Sequence, residues 1–309
     1  MSGATQRAVG TITLGLMTKN RPQEILNLIK SLGDVQAFRN SKYPLEIVLI
    51  DDASDTDTSQ VVEEIKHILA KESVQFKFER NDYSVGCTRN RDRIKDMASG
   101  DIIIFIDDDS LAADPFFFNK IASVFENNPD IGIFAFPVYN IFQNRVLVPH
   151  KRKNYLSKSE FYTYFFLGGG HAVWKDAMQQ VNGYSPEIGD RGEEYDLAFK
   201  TIKAGFTILY KTDTFIIHLE SGGGRKPYYD RVIDQATHKI LLAWKYLPLR
   251  FVLTNAIVWT FYAVVKTKSL RSIIDIYKSL ISKIKVSRRQ PLTGHARKYL
   301  KKVNARLWF

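Results

Sequence analysis

Three consecutive aspartates, Asp107, Asp108 and Asp109, follow directly after the apolar run DIIIFI at residues 101–106. Adjacent carboxylates raise one another's pKa unless a positive group lies among them. A divalent cation is the simplest such group, and hard oxygen ligands favour Mg²⁺ or Mn²⁺ over zinc. The single cysteine, Cys87, does not support a thiolate site. The aspartates therefore indicate a metal site, with a solvated acidic turn as the alternative.

A second acidic pair, Asp51 and Asp52, follows the apolar run LEIVLI at residues 45–50. Taken alone, the pair is typical of an Asx turn or a helix N-cap. In an open α/β sheet, however, ligands bind outside the carboxyl ends of the strands. The pair is therefore expected to share one crevice with the aspartates at 107, 108 and 109.

A third acidic cluster, Glu193, Glu194 and Asp196, follows Gly192 in the predicted first turn of a helix. Acidic side chains are favoured at a helix N-terminus, but three exceed what capping needs. A carboxylate beside a bound metal and diphosphate can act as general base for a hydroxyl within hydrogen-bond reach. The cluster therefore contains candidates for a catalytic base.

Two histidines adjoin glycine-rich segments. Gly168, Gly169 and Gly170 precede His171, and His218 precedes the loop SGGGRK at residues 221–226. Glycines permit close backbone approach, and the basic pair at 225 and 226 suits phosphates. The alternatives are an ordinary turn and a structural histidine at a strand end.

The elements that position these residues are predicted from hydrophobic periodicity. Apolar runs alternate with helical patterns, which favours a parallel sheet covered on both faces. Strands are expected at residues 11–16, 45–50, 74–78, 101–106, 131–139, 206–210 and 214–218. Helices are expected at residues 22–33, from the acidic turn to 71, at 85–98, from 174 onward, and at 193–204.

Eight segments resemble the family 2 glycosyltransferases with a GT-A fold, in the order in which that family carries them. They are TKNRP (18–22), IDDAS (50–54), RNRDRIKDMASGD (89–101), FIDDDS (105–110), GGGHAVWK (168–175), NGYSPEIGDRGEEYDL (182–197), KAGF (203–206) and HLESGGGR (218–225). The resemblance, to the bacterial polysaccharide or lipid-linked glycan type, implies an α/β fold over residues 1–226. This is a Rossmann-like nucleotide-diphospho-sugar transferase domain, with a nucleotide-sugar half at about 10–110 and an acceptor half at about 131–226.

The resemblance implies an inverting, metal-dependent transfer from a nucleoside-diphosphate sugar. It places Asp109 and His218 on Mn²⁺ or Mg²⁺, Asp107 near the ribose, and Asp51 and Asp52 near the base. The other residues implied for the donor are Thr18, Arg21, Arg89, Asp108 and Arg225.

On the acceptor side the resemblance implies that Glu194 is the base, where the family most often has aspartate. Asp196 is the competing candidate. The remaining residues implied for the acceptor side are Gly169, Gly170, His171, Trp174 and Glu193. The implied acceptor is a glycan or a lipid-linked glycan.

The positive charge is confined to the C-terminal region. Residues 1–236 carry 28 basic and 32 acidic residues, whereas residues 237–309 carry 16 basic residues and one acidic residue, Asp275. The uncharged run at 251–265 is shorter than the ~20 residues of a transmembrane helix, and amphipathic segments follow it. Basic amphipathic helices are typical of peptides that lie on an anionic membrane. Residues 227–309 are therefore expected to associate with a membrane, with a helical cap on the catalytic domain as the alternative.

Location and competing functions follow from the same features. The N-terminus has no apolar signal segment, and a lone cysteine favours a reducing compartment, so a cytoplasmic protein on the inner face of the membrane is expected. A metal-dependent nucleotidyltransferase would share the strand-end aspartates, and a nucleic-acid-binding protein would share the basic tail. Neither explains the whole pattern, and no nucleic-acid partner is expected. A strand followed by G-x-G-x-x-G is absent, which argues against a dinucleotide oxidoreductase.

Overall fold

The computed structural model describes residues 7–221 and 226–307 of the chain. Twelve strands lie within these residues, and we number them in chain order. They are β1 (Ile12–Thr18), β2 (Leu45–Asp51), β3 (Gln75–Arg80), β4 (Ile102–Ile106), β5 (Ser110–Ala112), β6 (Ile131–Ala135), β7 (Val138–Asn140), β8 (Arg145–Leu147), β9 (Glu160–Tyr162), β10 (Gly170–Trp174), β11 (Thr207–Lys211) and β12 (Ile216–His218).

The main sheet has eight strands in the order β3-β2-β1-β4-β10-β6-β11-β9. Strands β1 to β4 run parallel, as predicted, because helices cross between them and both faces are buried. The prediction of an entirely parallel sheet is wrong in the centre. There β10 runs antiparallel to both β4 and β6, because the turn at residues 168–170 reverses the chain.

The predicted strand at 131–139 is two strands in two sheets. Pro137 separates β6 from β7, since proline lacks the N–H that a ladder needs. Strand β7 belongs to a small sheet of order β5-β12-β7-β8. In this sheet His218 on β12 is paired with Ser110 on β5. This pairing brings the histidine beside Asp109.

Ten α-helices lie within the described residues. They are α1 (Pro22–Asp34), α2 (Ser59–Lys71), α3 (Cys87–Met97), α4 (Phe117–Asn127), α5 (Lys175–Gln180), α6 (Glu193–Lys203), α7 (Tyr228–Tyr246), α8 (Leu249–Thr267), α9 (Arg271–Val286) and α10 (Gly294–Lys302). The predicted helices at 22–33, 85–98 and 193–204 are confirmed to within two residues. Helices α1, α2 and α4 share one apolar core with the sheet, and α3, α6 and α7 share another.

The C-terminal helices are anchored to the catalytic fold by a buried polar cluster. The Lys245 Nζ on α7 donates to Ser185 Oγ at 2.6 Å and lies 3.2 Å from Asp196 Oδ1 on α6. Tyr246 also donates its hydroxyl to Asp196 Oδ1, at 2.6 Å. The lysine and aspartate are almost fully buried, so neither has water as an alternative partner. Helix α7 is therefore part of the folded core.

Candidate active site

A cleft of about 580 Å³ opens at the carboxyl ends of β1, β2 and β4. This is the edge at which the sequence placed two acidic clusters, and a parallel sheet presents its strand ends together there. The cleft is lined by predicted donor residues from four segments of the chain: Thr18, Arg21, Asp52, Asp107, Asp108, Asp109 and His218. The structure thus brings most of the predicted donor site together.

Asp107, Asp109 and His218 form a compact set of metal-ligating groups whose ligand atoms all lie within 4.8 Å of one another. His218 Nε2 is 3.0 Å from Asp109 Oδ1 and 3.8 Å from Asp107 Oδ2. Asp109 Oδ2 accepts the Ser221 N–H at 2.8 Å, and its buried Oδ1 faces His218. Two carboxylates and one imidazole this close together fit Mn²⁺ or Mg²⁺.

The electrostatics of this set favour positive charge at its centre. Burial lowers the pKa of His218, but its hydrogen bond with Asp109 and the charges of Asp107 and Asp109 outweigh burial and raise that pKa. Burial raises the pKa of Asp109, but His218 and Arg21 lower it to a greater extent. The site therefore attracts a cation.

Asp108 points away from this set and holds the β1–α1 loop. Its carboxylate accepts the Thr18 hydroxyl at 2.8 Å and an Arg21 guanidinium N–H at 2.8 Å. Burial raises the pKa of Asp108 to about 6, although Arg21 opposes that shift. Arg21 also donates to the Ser221 carbonyl at 2.8 Å. Asp108 thus orders the loop through Arg21.

Asp52 lies in the cleft as a fully hydrogen-bonded carboxylate. It accepts from Asn81 at 2.8 Å, from the Ser84 hydroxyl at 2.7 Å and from the Val85 N–H at 2.8 Å. Burial raises its pKa, but these hydrogen bonds overcome burial and lower the pKa to about 2. Asp52 is therefore an acceptor-only group in the donor cleft.

Three other predicted donor residues are placed differently. Asp51 is fully buried and accepts hydrogen bonds from Ser54 and Thr58, so it closes the turn after β2 and does not face the cleft. Arg89 is exposed on α3 and lines a neighbouring depression. Arg225 lies outside the described residues. Of the acidic pair, only Asp52 reaches the cleft.

Glu194 lines a second cavity, of about 360 Å³, on the other side of the glycine turn at residues 168–170. A Cβ atom built on Gly168 would lie 2.9 Å from Glu194 Oε1, and one built on Gly169 would lie 2.7 Å from Asp107 Oδ2. Adjacent glycines thus contact the candidate base and the candidate metal set. The absence of side chains at these glycines lets the two carboxylates approach the same turn.

Arg91 is a functional candidate that the sequence analysis missed. It is 2% exposed, and its guanidinium donates to the Gly168 carbonyl at 2.8 Å. It lies 3.8 Å from Asp107 and 3.4 Å from Glu193. The helical period of α3 carried a usable signal, because Arg91 shares its buried face with Ile94 while Arg89 faces solvent. Arg91 links the two cavities beneath the glycine turn.

The remaining acceptor-side residues differ in exposure. Glu193 is buried, and burial together with the charge of Glu194 raises its pKa. Asp196 is fully buried in the Lys245 cluster, and His171 is fully buried between Phe105 and Phe166. Trp174 pairs with Ile102 at the opposite end of β10 from the site. Glu194 is thus the most accessible member of the third acidic cluster.

The fold and this site define a glycosyltransferase, and the comparisons identify its family. The sequence profile of Glycosyl transferase family 2 matches residues 13–179, which is more than half of the chain. The chain belongs to this family. Family membership identifies the activity as glycosyl transfer, in place of the nucleotidyl transfer considered as an alternative.

Two relatives match at the sequence level. An uncharacterized protein of Haemophilus influenzae is 27% identical over 177 residues, covering 55% of this chain and 90% of the relative. The O-antigen chain rhamnosyltransferase RfbN of Salmonella typhimurium is 22% identical over 213 residues, covering 65% of each chain. This chain therefore spans slightly less than two thirds of RfbN.

Solved structures of glycosyltransferases share the fold. The mannosyltransferase PcManGT of Pyrobaculum calidifontis, in complex with GDP-Man and Mn²⁺, has a TM-score of 0.58 at 17% identity, covering 95% of this chain and 79% of that one. Residues 1–349 of S. aureus TarS with UDP-GlcNAc have a TM-score of 0.62 at 12% identity, covering 89% and 81%. At these identities the similarity establishes the fold. The predicted GT-A class with C-terminal helices is confirmed.

Proposed function

We propose that the protein transfers a sugar from a nucleoside-diphosphate sugar to an acceptor hydroxyl, with metal dependence and inversion at the anomeric carbon. One observation carries the proposal. The metal-ligating set of Asp107, Asp109 and His218 lies on one side of the glycine turn, and Glu194 lies on the other. This arrangement supports a leaving group and a base on separate sides of one reacting carbon.

Asp109 and His218, with Asp107, would hold Mn²⁺ or Mg²⁺ in the donor cleft. When bound, the ion supplies positive charge that stabilises the departing diphosphate. Thr18, Arg21 and Asp52 would orient the nucleotide, and Lys226 lines the same cleft and supplies a cation for its phosphates. The structures of relatives with GDP-Man and Mn²⁺, or with UDP-GlcNAc, support the ligand class.

Glu194 would act as the general base. Its carboxylate accepts the proton of the acceptor hydroxyl while that oxygen attacks the anomeric carbon. The bond from this carbon to the diphosphate oxygen breaks with its electron pair, and the nucleoside diphosphate leaves. Burial and the charge of Glu194 raise the pKa of Glu193 to about 8, so Glu193 can stay protonated beside Glu194. Asp196 is committed to Lys245 and Tyr246, which favours Glu194 over it.

Thermal unfolding with UDP, GDP and dTDP, each with and without Mn²⁺, tests the donor site. A ligand at 100 times its Kd stabilises a fold by about 2.7 kcal/mol, which shifts the midpoint measurably. We expect one nucleotide to stabilise the protein only with Mn²⁺, and Asp109→Asn to abolish the shift. The absence of a shift with every nucleotide would contradict the proposal.

We also propose that the protein works at the inner face of a bacterial membrane in the assembly of a cell-surface glycan. The similarity to the O-antigen enzyme RfbN supports this class of acceptor. Helix α8 carries exposed apolar residues at every fourth position. This stripe consists of Leu249, Leu253, Ile257, Phe261 and Val265. Lysines and arginines flank it on both sides, which matches an anionic membrane.

The same helix is 19 residues long, four more than the uncharged run, because Arg250 and Lys266 lie within its ends. By length and composition α8 is the one described helix that can cross a membrane, and 17% of its apolar window is buried in the protein. The amphipathic neighbour α9 exposes Ile274 and Ile281. This second exposed apolar surface supports the proposal that α8 and α9 lie on the membrane.

Sedimentation with phosphatidylglycerol vesicles tests the membrane proposal. Ile257→Ser combined with Phe261→Ser is expected to weaken binding at least tenfold, because two buried side chains are lost from the lipid. Phe142→Ser is the matched control, since Phe142 is 72% exposed but lies on the hairpin between β7 and β8. Equal loss in the control, or extraction of the wild-type protein only by detergent, would contradict a peripheral attachment through α8.

A further inference from the structure

The cavity beside Glu194 is strongly basic. It lies between the loop before β9, the start of α6 and the helices α7 and α8. Four basic side chains line it, namely Lys151, Arg191, Lys239 and Arg306, and Glu194 is the one carboxylate among the described lining residues. The donor cleft, in contrast, is lined by five aspartates and Glu220, which outnumber its five lysines and arginines. The acceptor side of the site therefore attracts negative charge.

Two of these cations lie over aromatic rings. Lys239 Nζ is 3.2 Å from the centre of the Tyr195 ring and 5.8 Å from that of Trp259. Lys151 Nζ is 5.3 Å from the centre of the Phe165 ring. Within the described part of the chain, Glu194 acts on both ammonium groups through its charge and is hydrogen-bonded to neither. Ring faces compensate a desolvated ammonium only in part.

The two lysines also oppose each other. Burial and the nearby charge of Lys151 lower the pKa of Lys239 to about 7, while Glu194 and Glu193 raise it by smaller amounts. Burial likewise lowers the pKa of Lys151. Like charges that repel in a partly buried site are stabilised by an anion between them. The cavity therefore has an electrostatic requirement that the described residues do not meet.

The walls of the cavity suit a sugar ring next to such an anion. Phe165 and Tyr195 line the cavity and stack with ring centres 4.8 Å apart and planes 10° apart, which gives the cavity an apolar wall. Trp259 Nε1 is buried and has no acceptor among the described residues. An indole N–H without an acceptor is ready to donate to a ligand oxygen.

We propose that this cavity binds an oxyanion of the acceptor, a phosphate or a carboxylate, next to the sugar whose hydroxyl Glu194 deprotonates. The proposal rests on the proposed function, because it takes Glu194 as the base. Lys151 and Lys239 hold the oxyanion, and Phe165 and Tyr195 hold the sugar. The acceptor is therefore an anionic glycan, either phosphate-linked or built from acidic sugars.

Calorimetry on the full chain in EDTA tests the site with three probes: pyrophosphate, galacturonate and galactose. We expect one of the oxyanions to bind at least tenfold more tightly than neutral galactose. Lys151→Met combined with Lys239→Met should weaken that binding at least tenfold. The loss of even one charged hydrogen bond is expected to weaken binding about tenfold. The matched control is Lys158→Met, since Lys158 lies 4.4 Å over the Tyr155 ring outside the cavity. The control should bind as the wild type does.

Three results would overturn the proposal: equal binding of galactose and the oxyanions, unchanged binding in the double variant, or a larger loss in Lys226→Met. Lys226 lines the donor cleft, so the last result would place the anion there. Preference for pyrophosphate indicates a phosphate-linked acceptor, and preference for galacturonate indicates an acidic glycan. Mn²⁺-dependent nucleotide binding by the double variant shows that its fold and donor site persist. Failure of nucleotide binding in the wild type would instead contradict the proposed function.

Discussion

The two cavities of the site differ in how their charges are satisfied. In the donor cleft, Asp52 accepts hydrogen bonds from the loop after β3, and Asp108 accepts them from the loop after β1. Asp109 is paired with His218. In the acceptor cavity, Lys151 and Lys239 lie over aromatic rings, and Glu194 acts on them through its charge alone. The donor cleft is thus organised before a ligand arrives, and the acceptor cavity is completed by one.

This difference has a structural origin. Apart from His218 on β12, the predicted donor residues in the cleft follow β1, β2 and β4, so the geometry of one parallel sheet places them. The acceptor cavity draws residues from six separate parts of the chain, as far apart as Lys151 and Arg306. Its walls include α7 and α8, which belong to the basic C-terminal region. That region therefore contributes to the reaction site as well as to the charge of the surface.

The largest predicted effect separates the two cavities by their chemistry. Glu194→Gln removes the base from the acceptor side and leaves the donor cleft untouched. We expect kcat to fall roughly 10³-fold, within the range for loss of a general base, and nucleotide binding with Mn²⁺ to stay unchanged. Radiolabelled sugar transfer and calorimetry measure the two quantities. Retained turnover in Glu194→Gln would leave Asp196 as the remaining candidate base.

The second prediction sharpens the contrast within α6, where Glu194 and Asp196 are two residues apart. Asp196→Asn removes one of the two carboxylates that contact the buried Lys245 ammonium and leaves Glu187 at 2.7 Å, which should lower the free energy of unfolding by about 2 kcal/mol. Chemical denaturation measures the loss. Asp275→Asn is the matched control, because Asp275 also accepts a tyrosine hydroxyl, from Tyr229 at 2.7 Å, but is 31% exposed. A control effect as large as that of Asp196→Asn would contradict this account.

The sequence predicted the donor half better than the acceptor half, and the reason is physical. Strand-end aspartates are local signals, because acidic residues that follow a buried parallel strand lie at the carboxyl edge of the sheet. Strand β10 was missed because the chain reverses at glycines 168–170, and a reversal into the sheet centre depends on contacts made by β4 and β6. Arg91 and Lys239 were missed for the same reason, since Gly168 is 77 residues from Arg91 and Tyr195 is 44 residues from Lys239.

The third prediction concerns the glycine turn between the cavities. Gly169→Ala places a Cβ atom 2.7 Å from Asp107 Oδ2, and Gly168→Ala places one 2.9 Å from Glu194 Oε1. We expect Gly169→Ala to weaken Mn²⁺-dependent nucleotide binding. Gly168→Ala should keep that binding and slow transfer. Each of the two defects is expected to be roughly 10- to 100-fold, because the added Cβ atom displaces a reacting group.

Calorimetry and transfer rates for both glycine variants test this division. Gly33→Ala is the control: a Cβ there meets no atom within 4 Å, and alanine in a helix is favoured over glycine by about 0.8–1.0 kcal/mol. It should therefore stabilise the protein slightly without changing either function. If Gly168→Ala and Gly169→Ala gave the same defect, the separation of donor and acceptor sides at this turn would be wrong.

The last predicted effect is a dependence of stability on pH, which arises from two buried histidines. His171 is fully buried below the glycine turn, and His238 on α7 is 2% exposed, with its Nδ1 3.0 Å from the Asp190 carbonyl. Burial lowers the pKa of His171 well below its usual value and, with help from the charge of Lys283, lowers that of His238 to about 4. Both histidines therefore stay neutral in the folded protein near pH 6.

The sign follows from comparing the two states. Below about pH 6.5 the unfolded chain binds protons at these histidines that the folded protein does not bind, so stability falls as the pH falls. For His238 the expected loss is ~1.4 kcal/mol per pH unit between about 6.5 and its folded value. Urea denaturation at pH 7.5, 6.5 and 5.5 should show a shallower slope for His238→Gln than for the wild type, and an unchanged slope for His67→Gln on the exposed face of α2. An unchanged slope in His238→Gln would mean that α7 opens to water around His238. In that case α7 would not form a rigid wall of the acceptor cavity.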